Sequence, residues 1–221
     1  MIGKMIALDW RSIKVYQIRG LFLPVAIFIF GYFLPLLVIP MSVFMFMSFS
    51  INPFAVEEKG DLNHLYLTLP VSRKEIVTGR YLFSLIAVLC GIALGTLMMP
   101  LANMVSVSKW FIGIEGYIVI IAFSYLIYAF FSLFIFPILF RFGYNKGKFW
   151  GFYLPVFLFA FFFSSYITFS AAPEYSAFTL NLLMKASENL FLVSGSMIAI
   201  ATILLILSYI ISLKAYSNRD F

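Results

Sequence analysis

Charge is the first scarcity in this chain. Only 11% of its 221 residues are Asp, Glu, Lys or Arg, against 63% that are hydrophobic. A soluble domain carries about 25% charged residues, so most of this chain has no water-facing side and its solvent is a bilayer. The length suits one helical domain and leaves no room for a separate soluble module. Cys90 is the only cysteine, which excludes an intrachain disulfide and a thiolate metal cluster. Lying in an apolar run, it is expected to be a small buried packing residue. His64 is the only histidine, so the paired histidines of a zinc protease are missing.

Chemistry is equally scarce inside the apolar runs. They hold no paired carboxylates, and serines such as Ser124 and Ser132 have no His or Lys base beside them, so nucleophilic catalysis has no apparatus. Such serines are expected to bond to backbone carbonyls. No Asp, Glu, His, Lys or Arg lies within the runs other than at their ends, which argues against ion-coupled transport. Gly143-Tyr-Asn-Lys-Gly147-Lys148 imitates a phosphate loop. It has three residues between its glycines rather than four, and Phe149 where Ser or Thr is needed. It reads as a basic turn. The chain is expected to be no enzyme and to bind no cofactor. The N-terminal stretch lacks a small-residue cleavage site after a short apolar core and is not read as a signal peptide.

What is present is a set of long apolar runs. Four of them, 81–103, 117–140, 149–170 and 190–213, hold at least the ~20 residues that cross ~30 Å of hydrocarbon as a helix. Residues 149–169 contain twelve Leu, Ile, Val or Phe, worth roughly −4 to −7 kcal/mol on the insertion scale. The stretch 21–51 is ambiguous, since as one helix it would be ~46 Å long.

Charge placement arbitrates. With one crossing there and the N-terminus inside, six basic residues fall inside and nine outside. With two crossings, only Lys109 and Lys185 lie outside and the other thirteen lie inside, the asymmetry that the positive-inside rule describes. The net charge of +6 is thus a topology signal, and there is no basic, aromatic-interleaved face for nucleic acid.

The expected architecture is all-α, with six transmembrane helices and both termini cytoplasmic. Spans 1 and 2 occupy 15–54, with a break supplied by Gly31, Pro35 and Pro40 and a turn near Leu34–Leu36. Residues 1–14 form an amphipathic interfacial helix that rests on lipid head groups, with Lys4, Arg11 and Lys14 on one face and Ile2, Met5, Ile6, Trp10 and Ile13 on the other. Asp9 falls on the apolar face, which lipid contact does not explain.

The segment 55–80 is the longest polar stretch and holds Glu57, Glu58, Asp61 and Glu75, four of the nine acids. Gly60-Asp61 breaks the incoming helix, Leu62–Leu69 can form a short apolar-rich helix, and Pro70 ends it. Ser72-Arg-Lys-Glu75 then reads as a capping box that starts the third span. A capped, solvated turn accounts for these residues. So does a docking element, because an exposed helix bearing Leu62, Leu65, Tyr66 and Leu69 calls for a partner surface. Gly91-Ile-Ala-Leu-Gly95 has the small-xxx-small spacing of close helix packing, used either within the chain or at a dimer seam.

This loop resembles a known family. Glu57-Glu58-Lys59, Leu67-Thr-Leu-Pro-Val-Ser-Arg-Lys-Glu-Ile-Val77, Gly79-Arg80-Tyr81-Leu82 and the opening Leu8-Asp9-Trp10-Arg11 are similar to permease subunits of bacterial type-2 ATP-binding cassette exporters. The likeness is to the small six-span group, and within it to exporters of amphipathic toxin or antimicrobial peptides. The resemblance implies a bacterial plasma-membrane permease that pairs with a second permease subunit, identical or not. It also implies a separate cytoplasmic ATPase, which holds the ATP and magnesium.

On that resemblance Leu62, Leu65, Tyr66 and Leu69 would fill a groove on the ATPase. Glu57 and Glu58 would mark the entry to the coupling region, and Ser72, Arg73 and Glu75 would make a rigid joint to span 3. The cargo would be an amphipathic peptide or another hydrophobic molecule. A membrane interaction or immunity protein, whose loop binds something other than an ATPase, is the alternative.

Overall fold

The computed structural model describes residues 3, 6–7, 9–10, 22–59, 72–106, 113–171 and 188–218, and every regular element among them is helical. In chain order these are α1 (Phe22–Phe33), a 3-10 turn at Pro35–Leu37, α2 (Val38–Phe49), α3 (Asn52–Lys59), α4 (Arg73–Val105) and α5 (Ile114–Lys148). A π-helical turn (Phe149–Tyr153), α6 (Leu154–Ala171) and α7 (Leu190–Ser217) complete them. Four helical stretches, Pro35–Glu58, Arg73–Val105, Ile114–Phe161 and Leu190–Ser217, are long and apolar enough to cross a bilayer. The chain is an all-α polytopic membrane protein. The apolar segments 81–103, 117–140 and 190–213 each lie inside one of these stretches, and 149–170 is covered by the π-helical turn and α6. Of residues 1–14, only Gly3, Ile6, Ala7, Asp9 and Trp10 are described, all helical.

Local chemistry sets the breaks. Leu34 leaves the helical region (φ −139°, ψ 80°) because the ring of Pro35 crowds the preceding residue out of it. Pro40 sits in the first turn of α2, where a missing N–H costs no helical bond. Ile114–Phe161 spans 48 residues, ~72 Å if straight, but it is not straight. Gly143 takes φ 75°, a conformation that favours glycine, and the chain doubles back there. Gly147 then lies against Leu139, where a Cβ would come within 3.2 Å of the leucine Cδ2 and 3.3 Å of the Ile138 carbonyl.

Small residues set the packing. Gly91 and Gly95 both face α2. A Cβ on Gly95 would stand 2.9 Å from the Ile39 Cα, and one on Gly91 would stand 3.1 Å from the Phe46 Cβ. The α2 positions rise as the α4 positions fall, so the two helices run antiparallel. Between them the Ser42 hydroxyl donates to the Gly91 carbonyl at 2.6 Å. The α7 helix turns a stripe of Ser194, Ala201, Ser208 and Ser212 inward and leaves Ile203, Ile206 and Ile210 outside. Small stripes of this kind let membrane helices approach closely.

Cys90 is not the buried packing residue its apolar surroundings imply. It is exposed, next to the outward-facing Leu89. A run that is apolar all round carries no mark of which side faces lipid.

Hydroxyl chains tie α4, α5 and α7 together. Ser208 donates its only proton to the Ser132 carbonyl at 2.7 Å. Tyr81 must therefore donate to Ser208 at 2.6 Å, and Ser212 then donates to Tyr81 at 2.8 Å. Tyr128 donates to Ser84 at 3.0 Å. Ser124 bonds the Ile120 carbonyl at 2.7 Å, the partner expected for a serine inside a span. Ser132 enters instead through its carbonyl.

Candidate functional site

Apart from Glu115 and Glu188, the charged residues among those described collect at one end of the bundle, where α3 ends and α4 begins. At the incoming end, α2 passes through a short turn at Ser50 and Ile51 into α3, which carries Glu57 and Glu58. At the outgoing end Ser72 and Glu75 make a capping box. The Glu75 N–H donates to Ser72 Oγ at 3.2 Å and the Ser72 N–H donates to Glu75 Oε2 at 2.9 Å. The Ser72 N–H, and after it the Ser72 hydroxyl, both donating to Glu75 Oε2, hold the Glu75 carboxyl below its ordinary pKa.

Arg80 is the centre of this end. It lies on the inward stripe of α4 with Ile76, Val77 and Ser84, and only 1% of its surface is exposed. Its Nη2 pairs with Glu57 Oε2 at 2.7 Å and its Nε with Asp9 Oδ1 at 3.3 Å. Its guanidinium also rests 4.3 Å from the centre of the Phe54 ring, a cation–π contact strengthened by the absence of water. Asp9 and Glu57 are buried too. A buried charge persists only when it is paired. The Asp9 that lipid contact left unexplained is thus the N-terminal helix's hold on α3 and α4. Burial raises the Asp9 pKa above its ordinary value, Arg80 opposes that shift and Glu57 adds to it.

Two further bonds widen the joint. Glu58 Oε2 accepts the Asn145 N–H at 2.7 Å, which ties α3 to the turn after Gly143. Arg73 Nη1 donates to the carbonyls of Tyr216, at 3.3 Å, and Ser217. Those carbonyls belong to the last turn of α7, where a cation suits the negative end of the helix dipole. Thr78 and Tyr209 join the same two helices one level deeper, at 2.9 Å.

Of the residues singled out from sequence, the structure brings Glu57, Glu58, Ser72, Arg73 and Glu75 to this end, while Gly91 and Gly95 lie deeper, against α2. Leu62, Leu65, Tyr66 and Leu69 lie outside the described residues. Arg80 is the residue that sequence reasoning did not single out. The available signal was its place in register with Ile76 and Ser84 on an inward face, since an arginine there requires an acid.

At membrane depth two cavities open between helices. One of about 230 Å³ is lined by Pro40, Phe44, Phe123, Phe131 and Phe159 among others. The other, about 310 Å³, lies between α4, α5 and α7 and includes Tyr81, Tyr125 and Tyr209. Neither is lined by a charged side chain. Among the described residues no cluster of His, Cys, Asp and Glu could hold a metal ion.

The joint links four helices and the N-terminal segment without a reacting group in it. The capping box fixes the start of α4, and Arg73 ties that start to the last turn of α7. Known proteins give one likeness. The family model described as ABC-2 family transporter protein matches residues 1–217. No curated protein and no solved structure matches the chain.

Proposed function

Because the chain belongs to the ABC-2 family of transporters, and so is a transmembrane subunit of an ABC transporter, we propose that it is a six-span permease driven through its 55–80 loop by a separate ATPase. In this reading the ATPase holds the ATP and magnesium, and the chain itself carries no catalytic site. Two permease subunits, identical or not, pair around the path. Both termini and the charged end face the cytoplasm of a bacterial cell. Leu62, Leu65, Tyr66 and Leu69 dock on the ATPase.

The observation that carries this reading is the bracing on either side of the loop. Glu57 and Glu58 fix its entry to Arg80 and Asn145, and the capping box and Arg73 fix its exit. A merely solvated turn has no need of a buried ion cluster and of side-chain bonds to three other helices. The uncharged lining of the two described cavities supports an apolar or amphipathic cargo, such as a peptide.

Affinity purification of the tagged chain from native membranes in mild detergent, followed by mass spectrometry, tests this. A stoichiometric cassette ATPase is expected, and it should be lost when Leu65, Tyr66 and Leu69 are changed to Ser. Absence of any ATPase, under conditions that keep other complexes intact, would favour a membrane interaction or immunity protein instead.

A further inference from the structure

The turn between α5 and α6 takes no part in the bracing beyond Asn145, and it is laid out in layers. Gly147 packs at the level of Leu139. Lys146 and Lys148 flank Gly147, and Arg141 lies two residues from Leu139. The three cations therefore stand within about one helical turn of one another along the bundle axis. All three are exposed.

The next turn inward carries Phe149, Trp150 and Tyr153, exposed by 55%, 59% and 57%. They belong to the π-helical turn, a widening of the helix often found at functional sites. Gly151 beneath them is buried against Ile138. Aromatic rings stack beside two of the cations. Arg141 lies 5.3 Å from the Phe142 ring centre and Lys148 lies 5.8 Å from that of Tyr144.

Cations outermost and an exposed aromatic layer one turn deeper is the order of a bilayer's interface, head group above and acyl boundary below. No Asp or Glu occurs between Arg141 and Tyr153. Among the described residues, the acid bonded to the turn is Glu58, held on the Asn145 N–H, so a surplus of positive charge remains. The geometry points to a binding site for an anionic phospholipid on this turn, with Arg141, Lys146 and Lys148 on the phosphate and Trp150 and Tyr153 against the upper acyl chain. An acidic protein surface would match the charges but not the aromatic layer beneath them. The site depends only on the chain lying in a membrane, not on the exporter reading.

The test uses the full chain with Trp10→Phe and Trp110→Phe, which leaves Trp150 as the only tryptophan, in nanodiscs containing brominated phosphatidylglycerol or brominated phosphatidylcholine. Brominated phosphatidylglycerol should quench Trp150 more strongly at equal mole fraction. Each of Arg141→Gln, Lys146→Gln and Lys148→Gln should lower the relative affinity for the anionic lipid about fivefold, while Lys74→Gln with Lys214→Gln leaves it unchanged.

Equal quenching by both lipids overturns the site, as does a preference that survives the triple substitution. Should the triple variant fail to fold, salt decides on the parent: a preference undiminished by ~1 M salt, where charges are screened within ~3 Å, overturns it as well. If no lipid preference appears and the triple variant instead loses a co-purifying acidic protein, the turn is a protein contact and the lipid site is refuted.

Discussion

Burying a guanidinium is costly, and Arg80 is buried with two carboxylates and an aromatic face around it. Arg80→Met would leave Asp9 and Glu57 in a dry site without their cation, a change that costs about 3–5 kcal/mol. A large fall in the thermal midpoint in mild detergent is the expected readout. Most of it should return in the triple variant Asp9→Asn, Glu57→Gln, Arg80→Met, which removes the charges together.

Asp9 also sets a pH dependence. Its carboxyl holds a proton more tightly in the folded protein than in the unfolded chain. Folding therefore becomes less favourable as pH rises from the ordinary value of 3.8 through the raised one. Below that window a protonated Asp9 leaves Arg80 and Glu57 evenly matched. Asp9→Asn should flatten this decline, and midpoints measured across mildly acidic pH check it. A decline of the same size in the variant would show that another group is responsible.

At this scale the sequence was half legible. The capping box could be read from Ser72 and Glu75 because its partners lie three residues apart. The Arg80 cluster could not, because its acids come from elements far away in the chain, and only the misplaced Asp9 betrayed it.

Among elements, the seam between α2 and α4 tolerates the least change. Gly95→Ala would put a methyl group 2.9 Å from backbone at Ile39. Backbone cannot move aside as a flexible side chain does, and overpacking of this kind costs about 1–3 kcal/mol. Gly195→Ala in α7 meets nothing within 4 Å and should leave the midpoint unchanged. A neutral Gly95→Ala would mean that α2 sits farther from α4 than described.

The spacing of Gly91 and Gly95 was readable, but their partner helix was not, since a small-residue motif names a close approach without naming what approaches. The break before Pro35 was readable for a local reason, the crowding of Leu34. The reversal at Gly143 is local too, whereas the landing of Gly147 on Leu139 is a tertiary fact.

Across the whole molecule, the ion pairs among the described residues gather at one end. If that end faces the cytoplasm, cysteines placed at Lys146 and Lys74 in a Cys90→Ser background should resist a membrane-impermeant maleimide in intact cells. Cysteines at Lys109 and Lys185 should react. The reverse pattern would invert the topology, and an accessible Lys74 together with a shielded Lys146 would mean an odd number of crossings between them. The six-span reading came from counting charges, a whole-molecule property that survives ignorance of every contact. Cys90 was misread for the complementary reason, because lipid-facing and buried positions have the same composition in such a chain.

The Arg73 bond to the end of α7 joins residues 144 apart in sequence, and this bears on how the chain is made. Arg73 leaves the ribosome 144 residues before the Ser217 carbonyl does. The first half of the bundle thus waits for that length of chain before this bond can form. A polypeptide stopped one turn short of Ser217 would insert but never close this clasp. Membrane quality-control proteases would find in it a loosened end that finished copies do not offer.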